Sequence, residues 1–130
     1  MTGYISPLSA AVSRDKDQWV AIGRQILAHF GCGSTVSELG RCIDSWKQDR
    51  CVPEEEMIDG LGFALGELLI AEHGGRWVFV TDSFGQTPAI QRVAEGSVTY
   101  VLDAVSKRLR DDSRAEAELQ TLADVYGRTA

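Results

Sequence analysis

The sequence predicts an α+β fold: about five helices, a small three-stranded antiparallel meander, and a central apolar helix over residues 53–73. Three observations carry that expectation. Apolar residues recur at three- and four-residue spacing through most of the chain, as in helices buried on one face. One long segment, residues 53–73, is apolar nearly all round, with Pro53 and three glutamates before it and Gly74-Gly75 behind it. Directly after that glycine pair comes the one clear run of strand formers, Arg76-Trp77-Val78-Phe79-Val80-Thr81.

Taken in order, residues 1–12 carry Pro7 and small residues, and a loose lead-in against the domain surface is expected there. Trp19, Ile22, Gly23, Ile26, Leu27 and Phe30 then share one helical face. Asp15 is the expected N-cap, with Gln18 three residues on, and Gly31 with Gly33 supplies the stop. The second helix opens on Thr35-x-x-Glu38, a capping box in which hydroxyl and carboxylate satisfy free backbone N–H groups reciprocally. Its stripe is Val36, Leu39, Ile43 and Trp46, and Gly40 and Cys42 allow close approach. A short Gly-rich link makes a helical hairpin over residues 13–50 the natural arrangement.

The third helix is the central apolar stretch. Pro53 suits a first helical position, where its missing N–H would be unpaired in any case. Glu54, Glu55 and Glu56 set negative charge against the positive end of the helix dipole. Met57, Ile58, Leu61, Leu65, Leu68 and Leu69 give the main stripe, while Phe63, Ala64 and Ile70 add apolar residues on other sides. Gly62 and Gly66 each lose roughly 1 kcal/mol of helix propensity. That loss implies a compensating close contact with helix one, helix two or the sheet.

Within the expected meander, Asp82-Ser83-Phe84-Gly85 reads as a turn, residues 87–93 return, and residues 97–100 add a short third strand. Pro88 confines its strand to an edge or to the strand's first residue. Val101, Leu102, Val105 and Leu109 form a fourth helical stripe, with Lys107, Arg108 and Arg110 in its last turn. Ser113-x-x-Glu116 reads as a second capping box, opening a last helix over residues 113–128 with the stripe Ala115, Leu119, Leu122 and Tyr126.

Composition narrows the function. At 130 residues, 44% hydrophobic and 25% charged, the chain matches one soluble globular domain. Its apolar runs break before the roughly 20 residues of a membrane span, and its start lacks the basic n-region of a secretory signal. A cytoplasmic location follows as the expectation. The net charge is −6, and residues 53–100 hold two basic and eight acidic residues, so that segment carries all of it. Nucleic acid needs clustered Lys and Arg and is not expected as a partner; neither is a membrane. A basic protein suits the acidic middle better. Cys32, Cys42 and Cys51 have no Cys-x-x-Cys spacing, which argues against both a disulfide framework and a zinc site. Core packing is the favoured reading of Cys42, and no base is evident beside Cys51.

Catalytic signatures are missing. His29 and His73 fall at helix ends, where imidazoles more often meet terminal carbonyls than do chemistry. Gly60, Gly62 and Gly66 lie inside a helical pattern rather than in a phosphate-binding loop. Glu67 stands out among Ala64, Leu65, Leu68 and Leu69, where an ionised carboxylate needs a partner. An outward orientation or a bond to Arg76 or Arg92 is the bland account. The sharper account gathers Glu67, Asp82 and Arg92 around a small polar pocket.

Gly62-x-x-x-Gly66-Glu67, Gly75-x-Trp77, Thr81-Asp82, Gly85, Pro88-Ala89-Ile90 and Val105-Ser106-Lys107-Arg108-Leu109 together resemble a small bacterial domain family of unknown function. The resemblance covers roughly residues 53–110 and implies no catalytic residue. In size and charge the chain is also similar to bacterial immunity proteins, which neutralise secreted toxins. The leading expectation is therefore a non-enzymatic protein-binding domain, an immunity or accessory factor without cofactor or metal. Its contact surface would be Glu54, Glu55, Glu56, Asp59, Asp82 and Phe84. The alternative is a small-ligand-binding or weakly enzymatic domain built on Glu67, Asp82 and Arg92. A third expectation is a homodimer through the glycines of helix three or the Pro88 edge strand.

Overall fold

A computed structural model describes residues 4–128. Its elements are β1 (Tyr4–Pro7), α1 (Ala10–His29), α2 (Val36–Gln48), α3 (Glu54–His73), β2 (Arg76–Asp82), β3 (Gly85–Gln91), β4 (Val98–Thr99), α4 (Val101–Arg110) and α5 (Ala115–Arg128). The fold is α+β, with five helices and one four-stranded antiparallel sheet of order β1-β2-β3-β4 among the described residues.

The fourth strand corrects the lead-in. Tyr4–Pro7 pairs antiparallel to β2, from Tyr4 opposite Thr81 to Pro7 opposite Val78, while residues 1–3 lie outside the described residues. Four residues ending in Pro carry too little pattern to announce a strand, and their partner is far along the chain. α1 also starts earlier than expected. Ser9, not Asp15, is its N-cap, and the Ser9 hydroxyl accepts from the Val12 N–H at 3.3 Å.

α3 lies at the centre, with buried residues on most of its circumference from Met57 to Leu69. Its glycines fix its neighbours. A side-chain carbon on Gly23 of α1 would fall on the Gly60 carbonyl, so these two helices touch backbone to backbone. Gly62 faces Leu102 of α4, and Gly66 seats the Trp77 indole. The glycine-to-sheet contact is thus found at Gly66, whereas the α1 contact falls at Gly60.

The expected hairpin of the first two helices is not formed. α1 packs along α3 and α2 along α5, with only slight contact between α1 and α2. Glycine placement again decides, because a carbon added at Gly40 would strike the backbone of Ala115 and Glu116. Side chains then lock α2 to α5. Asp44 accepts from the Ala115 N–H at 2.9 Å and from the Glu116 N–H at 3.4 Å. Ser37 donates to Glu116 at 2.6 Å, and the Lys47 ammonium donates to the carbonyls of Asp111 and Ser113.

This overturns the second capping box. Ser113 donates its hydroxyl and its N–H to Asp111, at 2.6 and 3.1 Å, while the Glu116 N–H that it would have capped goes to Asp44. The cap comes from Asp44 on another helix. The Ser113 hydroxyl holds the Asp111 carboxyl below the usual carboxylate range, against a smaller effect of desolvation.

In the sheet, Trp77 and Ile90 are paired and face α3 at Gly66, and the Trp77 and Phe63 rings lie 5.2 Å apart. Val78, Val80 and Ala89 form a separate small cluster with Val98. Pro88 sits where β3 has only β2 beside it, since β4 pairs with Ile90 and Gln91 alone. That satisfies the edge rule for proline.

Replacing Asp44 by Ala is expected to lower unfolding stability by about 1–2 kcal/mol, the usual effect of losing a helix cap, read as a lower urea midpoint with unchanged slope. Burial also raises several acidic groups, a thiol and a phenol among them. The Cys42 thiol is pushed up from 9.0 to about 12, and the Tyr126 phenol is raised from 10.0. Both favour the neutral form when folded, so their stabilisation is complete below the unfolded values and is lost as pH rises through the folded ones. Stability should therefore fall from about pH 9 upward. Cys42→Ala should flatten the early part of that alkaline limb in denaturant titrations at several pH values.

Candidate functional site

The three residues of the expected polar pocket are not brought together as one. Glu67 turns toward α1 and pairs with the Lys16 ammonium at 2.6 Å, and with neither Arg76 nor Arg92. Burial opposes the charge on Lys16, but hydrogen bonds from its ammonium to Asp17 and Glu67 outweigh it and raise the lysine above 10.5. Asp82 stands at the closed end of the β2–β3 hairpin, opposite Gly85. Arg92 follows Gln91 at the open end, where its Nε donates to the His73 carbonyl at 3.3 Å. Six residue steps separate the two ends, on the order of 20 Å. Arg76 is engaged elsewhere, donating to Gln91 at 3.1 Å, while the buried Gln91 amide donates to the Gly96 carbonyl and ties down the following turn.

The glycine face proposed for self-association is also filled, since α1, α4 and Trp77 occupy it.

The residues of the expected contact surface fall into two groups, and no hydrogen bond or ion pair joins them among the described residues. In the first turns of α3, Glu55 and Glu56 are exposed, Glu54 pairs with Arg110 at 3.2 Å, and Asp59 is half-buried. Desolvation, then the nearby Glu55 charge, pushes the Asp59 carboxyl up. At the hairpin tip, Asp82 accepts from the Phe84 N–H at 2.8 Å, which folds Ser83-Phe84 into a tight turn. Gly85 follows at φ 121°, a conformation costly for any residue with a Cβ. Phe84 is 97% exposed. Tyr4 and Ile5 of the neighbouring edge strand are exposed too, and the pairing of Tyr4 with Thr81 sets them at the same end of the sheet.

Two further features were missed by reading the sequence. A groove of about 460 Å³ runs between β4, α4 and α5, with Tyr100, Leu122 and Val125 among its apolar walls. Its charged rim is internally paired, Lys107 with Asp103 at 3.1 Å and Arg108 with Glu118 at 2.8 Å. The second is a base beside Cys51: the His29 Nε2 lies 3.3 Å from its sulfur. Neither had a sequence signal, because each joins residues distant in the chain. Among the described residues no group of three or more His, Cys, Asp or Glu could hold a metal, and no helix is long and apolar enough to cross a membrane.

Glu67→Gln is expected to change unfolding stability by less than about 1 kcal/mol, as for other partly exposed ion pairs. Urea unfolding of this variant, of Lys16→Met and of the double variant reads the coupling directly.

No curated protein and no solved structure matches the chain. The model of a family described as a domain of unknown function (DUF3806) matches residues 40–119. That span opens at Gly40, against which α5 packs, and closes at the buried Leu119. It contains the glycine, Trp and Lys-Arg motifs that carry the resemblance. Covering more than half of the 130 residues, the match establishes that the chain belongs to this family, DUF3806.

Proposed function

We propose that the domain is non-enzymatic and works by binding a protein partner through the closed end of its sheet. The observation that carries this reading is the near-complete exposure of Phe84 on a turn whose backbone is fixed by Asp82. A large ring held in water gains nothing for folding, whereas a rigidly presented aromatic is the typical anchor of an interface. Tyr4 and Ile5 extend the apolar surface beside it, and the outer edge of β1 offers backbone groups to which a partner's strand can add. The exposed Glu55 and Glu56 and the net charge of −6 favour a basic partner, as in an immunity or accessory role. A cytoplasmic setting fits free thiols and the lack, among the described residues, of any helix apolar enough to cross a membrane.

The alternative, a small-ligand-binding or weakly enzymatic domain, would have to work without Asp82 and Arg92 in one pocket, since they stand at opposite ends of the hairpin.

The test is affinity capture from host extract with the wild-type chain and with Phe84→Ala, identifying bound proteins by mass spectrometry. A basic protein held by the wild type should bind Phe84→Ala at least about tenfold more weakly, a hot-spot-sized loss, while thermal unfolding stays unchanged. Equal binding by both chains would refute the role of the sheet end.

A further inference from the structure

Cys51 and His29 meet on the surface near the C-terminal end of α1. The His29 Nε2 lies 3.3 Å from the Cys51 sulfur, within hydrogen-bonding reach for a thiol, and both residues are exposed. His29 ends α1, and Cys51 lies between α2 and α3. The backbone around the thiol is held on both sides. The Arg50 guanidinium stacks 4.8 Å above the buried Trp46 ring, and the Trp46 indole N–H donates to the Val52 carbonyl at 2.7 Å. The imidazole is braced as well, packed edge-on against Phe30 with ring centres 5.0 Å apart. The other two cysteines differ in kind: Cys42 is fully buried, Cys32 is half-buried, and burial raises both thiols.

We propose that Cys51 and His29 form a nucleophilic thiol–imidazole pair, a site of S-modification by low-molecular-weight disulfides. With its proton on Nδ1, His29 accepts the Cys51 thiol proton at Nε2 as the sulfur attacks one sulfur of the disulfide. The Cys51 S–S bond forms, the S–S bond of the small disulfide breaks, and the departing thiolate takes the proton back from the imidazolium. One disulfide is exchanged for another, with no outside oxidant. Exposure of Cys51 admits the reagent, and the fixed chain around it keeps the sulfur at the imidazole.

Oxidised glutathione is the probe. The intact wild-type chain, His29→Ala and His29→Gln are each incubated with it at neutral pH, and mixed disulfide at Cys51 and Cys32 is followed by peptide mass spectrometry. Cys51→Ser gives the blank. Cys51 of the folded wild type should react at least about fivefold faster than Cys51 of either histidine variant, within the gain open to a thiol that is otherwise only a few per cent thiolate at neutral pH. It should also outpace Cys51 of the same chain unfolded in urea. Exposure alone would leave the Cys51 rate independent of His29, so equal rates in the wild type and a folded histidine variant overturn the proposal. Should both variants fail to fold, a wild-type Cys51 no faster than in the unfolded chain overturns it equally.

Discussion

Helix α3 can be surrounded on most sides because its glycines leave no side chain where its neighbours arrive. Gly60 meets the backbone of α1 at Gly23, Gly62 meets Leu102 of α4, and Gly66 meets the indole of Trp77. Each glycine is unfavourable to the helix by roughly 1 kcal/mol, and each is offset by a contact that a methyl group would forbid at Gly66 and crowd at Gly60 and Gly62. The position of the sheet depends on the same device, since Trp77 pairs with Ile90 and both face α3 at Gly66. A second close approach, at Gly40, seats α5 on α2. Small residues thus set which helices are partners, and the apolar stripes fill the space that remains.

Much of this was legible in the sequence, for particular reasons. The stripe from Met57 to Leu69 announced a helix packed on several faces, and Gly62 with Gly66 announced close contacts. The Thr35 cap was equally clear, and its hydroxyl accepts from the Glu38 N–H at 3.1 Å. What could not be read were relations between distant segments. β1 is too short to carry a pattern, and its strand character comes from pairing with β2. The α5 cap looked local because Ser113-x-x-Glu116 has the right spacing, but the Ala115 and Glu116 N–H groups donate to Asp44, distant in sequence. Of the candidate site residues, Phe84 and Asp82 were legible because a turn advertises itself through Asp and Gly. Glu67 was flagged for needing a partner, and it has one, but that partner is Lys16 on a helix whose docking the sequence does not specify.

The fold separates two kinds of surface. The end of the sheet at Phe84 presents apolar groups from a hairpin held by its own hydrogen bond, and a partner there would find them pre-organised. The Cys51–His29 pair, by contrast, lies between helices, where the chain leaving α2 passes the end of α1. Its geometry depends on α1 being docked against α3, which the Gly23–Gly60 contact secures. The family match begins at residue 40, so α1 and His29 lie outside it while Gly60 and Cys51 lie within. The matched segment therefore holds the seat for α1 without holding α1 itself.

The cap that Asp44 lends to α5 makes the order of the C-terminal helix conditional on a different part of the chain. α5 has no N-terminal side-chain cap of its own among its neighbours in sequence, and Lys47 from α2 also holds the carbonyls that precede it. Withdrawing α2 would thus free both ends of the connection from α4 at once. The far end of α5 matters to the centre, because Tyr126 donates its hydroxyl to the Gly74 carbonyl at 2.7 Å, at the corner between α3 and β2. α5 accordingly works as a clasp fastened at two points, to α2 by its first residues and to that corner by Tyr126. α5 thereby spans from α2, through Asp44, to the corner at the base of the hairpin that bears Phe84.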